Sequence, residues 1–472
     1  MNLNDIKQVY LIGIGGIGMS GLARYFNRRG CTVAGYDRTS TPLTKELESE
    51  GITISYVDDT NTVPEHFLNS QCSILNAQLV IFTPAIPKDS AILNHLKESH
   101  TLYKRSEVLG IISKGMFTIA VAGTHGKTTT SSIVAHILKH SGYDCSAFLG
   151  GITANYQTNV LFGDNNTLVV EADEYDRSFL TLHPDIAIVT SMDADHLDIY
   201  NDKSYLEDSF RKFAAQLKPN GILIKKQGLP LDQEGITYST QLDAAAQATN
   251  ITIENGNYYF DYQLSNLKPK TLNLQLGIPG LHNVENAVAA ITVALQLGID
   301  MEKIKAALAS FRGVKRRFEY IIREQNRVMI DDYAHHPEEI KAFLGSVKAL
   351  YPGKKITCIF QPHLYSRTRD FAAGFAESLS MADELILLPI YPARELPIPG
   401  VDSEMVLKQV TAVQKSLLSK EEVLERMAAA KDWEVVVTVG AGDIDAMVIP
   451  IKERLMALQL RQTFPALRSA PK

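Results

Sequence analysis

Short apolar runs alternate with longer periodic stretches along nearly the whole chain. Gln8–Ile12, Thr32–Tyr36, Gly51–Ser55 and Leu79–Phe82 read as strands, and Met19–Arg29 and Ser90–Ser99 carry helical spacing. Further buried strands are expected at Thr118–Ala122, Leu168–Val170, Asp185–Thr190, Arg327–Ile330, Ile356–Phe360, Glu384–Leu388 and Glu434–Thr438. Ile133–Leu138 reads as helix. Between Lys226 and Leu264 the pattern breaks into short alternating runs, which suggests a β-rich excursion or hairpin. Strands alternating with helices predict an α/β fold with mostly parallel sheets. A chain of 472 residues suggests about three domains. Their expected spans are 1–105, 106–313 and 314–472.

Two glycine-rich turns stand at strand ends. Gly13-Ile-Gly15-Gly16-Ile17-Gly18 follows the first strand and opens a helix, with Asp37 about 20 residues on, the spacing of the dinucleotide fingerprint. Alone it suggests a nicotinamide dehydrogenase, although the same turn suits any diphosphate at a helix N-terminus. Thr83-Pro84 follows another strand, on the edge where open α/β sheets bind ligands. The second turn is Gly123-Thr124-His125-Gly126-Lys127-Thr128-Thr129. Strand, glycine turn and helix together predict a phosphate loop. Lys127 would reach the outer phosphates, and Thr128 would offer Mg²⁺ a hydroxyl. The full motif places a glycine where Val121 stands, so this loop is a shortened variant.

Acids cluster at the next strand ends, in Glu171-Ala-Asp-Glu174 and Asp193-Ala-Asp-His196-Leu-Asp198. Mg²⁺ takes oxygen ligands, usually one or two carboxylates beside phosphates, so these acids suit a metal–nucleotide site. His196 alone would be structural; among these aspartates a metal or phosphate role competes on equal terms. Asn283 precedes an Ala-rich stretch and could cap its helix. In the last third, Arg316-Arg317, Asp331-Asp332-Tyr333-Ala-His335-His336 and Gln361–Asp370, with Arg367 and Arg369, lie beyond strand ends. Each arginine alone reads as a surface ion pair. Together, on one edge, they suggest a binding surface. Zinc-ligand spacing is lacking around the histidine pair.

Lys and Arg total 47 against 53 Asp and Glu, a net charge of −6, so no basic excess favours nucleic acid. Cys31, Cys72, Cys145 and Cys358 are widely separated, as in buried reduced thiols. The N-terminus carries no basic-then-apolar signal, and no apolar run approaches the length of a membrane span. A cytoplasmic protein without membrane insertion is expected, its tail from Arg461 to Lys472 frayed.

Together these motifs resemble the Mur ligase family, ATP-dependent amide-bond ligases of peptidoglycan precursor synthesis, and hence of cell-wall biogenesis, cell shape and division. The shortened loop resembles that family's own variant. Gly13–Ser20, Glu171–Glu174, Ala194–Asp198, Asp331–Pro337, Gln361–Asp370 and Ile398–Ser403 resemble the branch that adds L-alanine to UDP-N-acetylmuramate. The branch that recycles tripeptide onto the same sugar nucleotide is the alternative, and Gln361–Asp370 does not resemble it. Leu364 and Ser366 stand where that motif leads one to expect arginine and threonine.

The resemblance implies three domains: a Rossmann-like UDP-binding domain, a central P-loop ATPase-type domain and a C-terminal Rossmann-like domain. It implies that Gly15, Gly16, Ile17, Gly18, Asp37, Thr83 and Pro84 bind the UDP-sugar. Gly123–Thr129, His282, Asn283, Asn286, Arg316, Arg317, Asp331 and Asp332 would bind ATP. Thr128 and Glu171 would hold one Mg²⁺ and His196 a second. Tyr333, His335, His336, Arg367 and Arg369 would hold the amino acid. Lys127 would act catalytically, with His196, His335 and His336 competing as proton acceptor. Some family members carry a carbamylated lysine, for which Lys212 is a candidate. The oligomeric state stays open.

Overall fold

The computed structural model describes residues 2–68, 77–193, 203–254, 256–265, 273–324, 326–393, 395–412 and 414–463. Cys72, His196 with its neighbouring aspartates Asp195 and Asp198, Arg394 and the tail from residue 464 lie outside them. The chain forms two compact units. One comprises Met1–Asn250, Phe260–Gln275 and Glu285–Arg312; the other comprises Ile251–Tyr259, Leu276–Val284 and Gly313–Lys472.

The first unit opens with β1 (Gln8–Ile12), α1 (Ile17–Arg28), β2 (Thr32–Tyr36), β3 (Thr53–Ser55), β4 (Gln78–Phe82), α2 (Ala91–Ser99), β5 (Leu102–Lys104) and α3 (Arg105–Gly115). The strands lie in the order β3-β2-β1-β4-β5, all parallel. Winding reverses between β1 and β4, the switch point where such sheets take ligands. The glycine turn after β1 and Thr83 after β4 both stand there. Helix α1 buries Met19, Leu22, Ala23 and Phe26, the spacing of one helical face.

The same unit continues with β6 (Phe117–Ala122), α4 (Lys127–Ser141), β7 (Ser146–Phe148), β8 (Val160–Leu161), β9 (Thr167–Ala172), β10 (Ile186–Val189) and α5 (Lys203–Ala215). Then come β11 (Ile222–Lys226), β12 (Ile236–Ser239), β13 (Ala246–Glu254), β14 (Asn257–Leu264), β15 (Leu274–Leu276), α6 (Leu281–Gln296) and α7 (Met301–Ser310), of which the stretches Ile251–Tyr259 and Leu276–Val284 are counted with the second unit. The ten-stranded sheet has the order β15-β14-β13-β12-β11-β10-β6-β9-β7-β8. The β-rich stretch thus prolongs the central sheet. Strand β6 lies between β10 and β9, parallel to both and buried, which places its loop at the middle of the sheet's edge. Helix α4 begins at Lys127, well before Ile133. Thr128–Ser132 hid that start because Thr and Ser are weak helix formers and the apolar period begins only at Ile133.

The second unit carries β16 (Glu319–Arg323), β17 (Val328–Asp332), α8 (Pro337–Leu350), β18 (Ile356–Phe360), α9 (Tyr365–Asp370), β19 (Glu384–Leu387), β20 (Gln414–Leu417), β21 (Val435–Val439) and α10 (Asp445–Thr463). Its sheet order is β16-β17-β21-β18-β19-β20, parallel except for edge strand β16. Helix α10 carries the backbone through Arg461 to Thr463, into the tail expected to fray.

Candidate active site

Strand β6 runs into Gly123, whose φ is +141°, and a Cβ there would stand 2.0 Å from Thr190 Oγ1. Gly126, at φ +81°, is the N-cap of α4, and a Cβ on it would meet Asn286 Oδ1 at 2.8 Å. Both glycines serve close approach as well as the turn. The segment after β10 braces the loop. Ser191 Oγ lies 2.9 Å from Thr124 Oγ1 and accepts from His125 N at 2.6 Å. Asp193 N donates to Thr124 Oγ1 at 3.1 Å, and the Thr190 hydroxyl donates to the His125 carbonyl. The sequence reading assigned Thr190 and Ser191 no role. Their position directly after a buried parallel strand was the available signal.

Lys127 Nζ lies 2.9 and 2.7 Å from the two carboxylate oxygens of Glu174 and donates to the Gly123 carbonyl at 2.7 Å. Glu174 is fully buried. Burial alone would lower the Lys127 ammonium, but Glu174, Asp173 and Glu171 outweigh it and hold it above the usual lysine range. Burial raises the Glu174 carboxyl, and Lys127 only partly offsets this. Sequence reading placed Glu174 in the acidic stretch but did not single it out as the partner of Lys127.

Glu171 sits on β9 in register with Val121 of β6 and accepts from Gly150 N at 2.9 Å. Thr128 and Thr129 are buried in the first turn of α4. A hydroxyl and a carboxylate beside a phosphate loop form an oxygen donor set that suits Mg²⁺. Among the described residues, no group of three or more His, Cys, Asp or Glu is arranged to hold a metal. Lys212 lies on α5, exposed and paired with Asp208 at 2.7 Å, a surface contact one helical turn long.

In the upstream turn, Gly16 is the N-cap of α1, and Ile17 and Gly18 form its first turn. Gly15 N donates to Asp37 Oδ2 at 2.8 Å. Gly13, at φ +89°, lies beneath Thr83, whose methyl would stand 2.5 Å from a Cβ. Pro84 continues that turn. The structure therefore brings Gly13–Gly18, Asp37 and Thr83 together.

On helix α6, Asn286 touches the loop, while His282 and Asn283 lie in the first turn. Asn283 is not a cap: α6 starts at Leu281, and Asn283 Nδ2 donates back to the Pro279 carbonyl at 2.5 Å. Burial, then Arg317, lowers the His282 imidazole to about 4.

In the second unit the adjacent twins separate. Arg316 Nε meets Asp331 Oδ2 at 3.1 Å, and Thr438 Oγ1 donates to Asp331 Oδ1 at 2.6 Å. Asp332 instead accepts from Phe318 N and Ala334 N at 2.7 and 2.8 Å, and burial raises its carboxyl to about 7 against the pull of Arg317. The Arg316 and Arg317 guanidinium groups lie 5.2 and 5.0 Å from the Tyr333 ring centre. His336 is the N-cap of α8: its Nδ1 accepts from Glu338 N at 3.4 Å, and Glu339 completes a capping box. His335 Nδ1 meets the Tyr333 carbonyl at 3.0 Å. A carbonyl only accepts, so this contact favours the proton on Nδ1, which also lies 3.4 Å from Glu339 Oε2. The His335 ring faces His363 at 6.3 Å, and His363 stacks on Tyr391 at 5.8 Å. His363 and Tyr391 are neighbours the sequence reading did not select. Arg367 and Arg369 share the short helix α9, where Arg369 is half-exposed and bonded to Asp370 at 2.7 Å.

Three family models match in succession: the Mur ligase family catalytic domain over residues 8–116, the Mur ligase middle domain over 121–294 and the glutamate ligase domain over 316–442. A curated relative, the UDP-N-acetylmuramate–L-alanine ligase of Cytophaga hutchinsonii, is 48% identical over 464 residues, spanning 96% of this chain and 97% of its own. The chain belongs to the Mur ligase family. This Mur ligase also superposes on the solved UDP-N-acetylmuramate–alanine ligase of Thermotoga maritima, with a TM-score of 0.80 and 28% identity over 95% of this chain and 99% of the other. A murein peptide ligase from Psychrobacter arcticus shares the fold at a TM-score of 0.67 and 23% identity, over 96% of this chain and 98% of its own. No helix among the described residues is long and apolar enough to cross a membrane.

Proposed function

We propose that this Mur ligase joins L-alanine to the lactyl carboxylate of UDP-N-acetylmuramate, converting ATP to ADP and phosphate. The observation that carries the reading is the nearly end-to-end identity of 48% with a ligase of that name. The two glycine turns give it a physical basis, with Gly13–Gly18 taking the UDP diphosphate and Gly123–Thr128 the ATP phosphates. Residues 1–105 then serve the sugar nucleotide, 106–313 the ATP and 314–472 the amino acid.

A carboxylate is a poor electrophile. Its oxygen attacks the γ-phosphorus of ATP, the bond to the bridging oxygen breaks, and an acyl phosphate and ADP result. The neutral amine of alanine then attacks the acyl carbon; the carbon–oxygen bond to phosphate breaks, and the amine proton passes to a base. Such phosphoryl transfer depends on positioning and charge neutralisation. Lys127 turns from Glu174 towards the phosphates and contributes the cation. Thr128 and Glu171 would hold Mg²⁺, with a second ion assigned to His196, and the metal would draw negative charge off the transferring group. Of the histidine pair, His335 is assigned the proton-acceptor role, because His336 is committed to capping α8. Asn286, beside Gly126, borders the nucleotide. Arg367, Tyr333 and His335 take the amino acid.

The test is phosphate release from Mg-ATP with UDP-N-acetylmuramate. Release should require L-alanine. Release that ignores alanine but responds to tripeptide would contradict the assignment.

A further inference from the structure

A cavity of about 160 Å³ beside the upstream turn is lined by Gly18, Arg105, Gly150, Asn159, Glu171 and Asp173, among others. Arg105 is the first residue of α3, directly after β5. Its guanidinium presses on the first turn of α1: a Cβ at Gly18 would stand 2.1 Å from Arg105 Nη1. On the other side, Arg105 Nη2 lies 3.7 Å from Asp173 Oδ2, longer than a hydrogen-bonded ion pair.

Both elements that meet here are fixed. Gly110 of α3 packs so closely that a Cβ would stand 2.5 Å from the Thr181 carbonyl, and Thr181 Oγ1 donates to the Ser106 carbonyl at 2.7 Å. Thr181 closes the 3₁₀ turn Tyr175–Thr181 that follows the acidic stretch. The first turn of α1 is held by Asn159, whose Nδ2 donates to the Ile17 carbonyl at 2.5 Å. A segment of the ATP-binding region thus sets a guanidinium against the turn assigned to the sugar nucleotide.

We propose that Arg105 is a substrate-binding residue that takes the diphosphate of the UDP-sugar, exchanging Asp173 for phosphate oxygens. This rests on the sugar-nucleotide reading above. The amides of a helix N-terminus attract anions but carry only partial charge. Among the residues lining the cavity, Arg105 is the cation, while Glu171 and Asp173 are acids. The planar fork of arginine matches phosphate oxygens two at a time. The other anion on the substrate is the lactyl carboxylate. The contact of Nη1 with Gly18 favours the diphosphate, because that turn belongs to the helix end that faces it.

The wild type, Arg105→Ala and Arg105→Lys are titrated with UDP alone, with UDP-N-acetylmuramate and with Mg-ATP, and their thermal unfolding is compared. Arg105→Ala should bind UDP about 10- to 100-fold more weakly, the worth of one charge-assisted paired contact. UDP-N-acetylmuramate should weaken by the same factor, Mg-ATP by less than about twofold, and Arg105→Lys should recover part of the loss as a point charge without the fork. If Arg105→Ala fails to fold, Arg105→Lys carries the comparison. Unchanged UDP binding would overturn the proposal, and if UDP-N-acetylmuramate alone weakened, Arg105 would sit on the carboxylate. Equal losses for UDP and ATP would mean a structural role. A wild type that does not bind UDP would overturn the sugar-nucleotide reading and this proposal with it.

Discussion

Lys127 and Glu174 form a pair buried enough that neither charge stands alone without cost. Lys127→Ala leaves the Glu174 carboxylate in a site with no exposure, and breaking such a pair from one side costs about 3–5 kcal/mol. Lys127→Ala should therefore unfold at a clearly lower denaturant concentration, and Lys127→Ala/Glu174→Ala should recover part of the loss. Equal midpoints for the wild type and Lys127→Ala would show that the pair is not coupled as described. Lys127 was legible in the sequence because a phosphate loop has a pattern. Glu174 was not, because Glu171-Ala-Asp-Glu174 offers three carboxylates and only the fold decides which one is buried. The same holds for His335 and His336, identical in sequence and divided by the start of α8. His336→Asn keeps a capping side chain and should keep most of the turnover. His335→Gln should lower kcat about 10²- to 10⁴-fold, the range for a lost general base. The reverse ranking would assign the proton to His336.

At the scale of elements, helix α4 ties the phosphate loop to α7 through His136. Its two ring nitrogens lie 3.0 Å from Tyr156 Oη and 3.0 Å from Ser310 Oγ. Burial, then His140, lowers the imidazole to about 4 from an ordinary 6.5. Between those values the unfolded chain binds the proton and the folded chain does not. The stabilisation is therefore complete above pH 6.5 and is lost as pH falls through about 4. Denaturant midpoints measured across that window should fall on acidification, and His136→Gln should flatten the fall. A variant with the wild-type slope would assign the acid sensitivity elsewhere. The elements themselves were legible where burial is one-sided or complete: β1, β2 and β18 follow the apolar runs residue for residue. The start of α4 was not legible, since Thr128–Ser132 carry no apolar periodicity and the hydroxyls of Thr190 and Ser191 brace the loop just before the helix. Nor was the role of Asn283, whose cap-like sequence position gave way to an α6 that begins two residues earlier.

At the scale of the molecule, the described residues form three sheets, and two of the turns at their strand ends are glycine-rich turns opening helices, which the proposed function assigns to phosphates. The alternation of strand and helix made this architecture legible. The glycine fingerprint alone pointed to a dehydrogenase; family membership and the second cradle give it a different anion. What the whole arrangement is for is activation of a carboxylate by the γ-phosphoryl group of ATP. The most direct measurement uses UDP-N-acetylmuramate labelled with ¹⁸O in the lactyl carboxylate, with ATP and L-alanine, and reads the isotope in the released phosphate by mass spectrometry. An acyl phosphate requires one carboxylate oxygen to leave with each phosphate, so labelled phosphate should form in step with the amide. Amide formed with unlabelled phosphate would contradict the account.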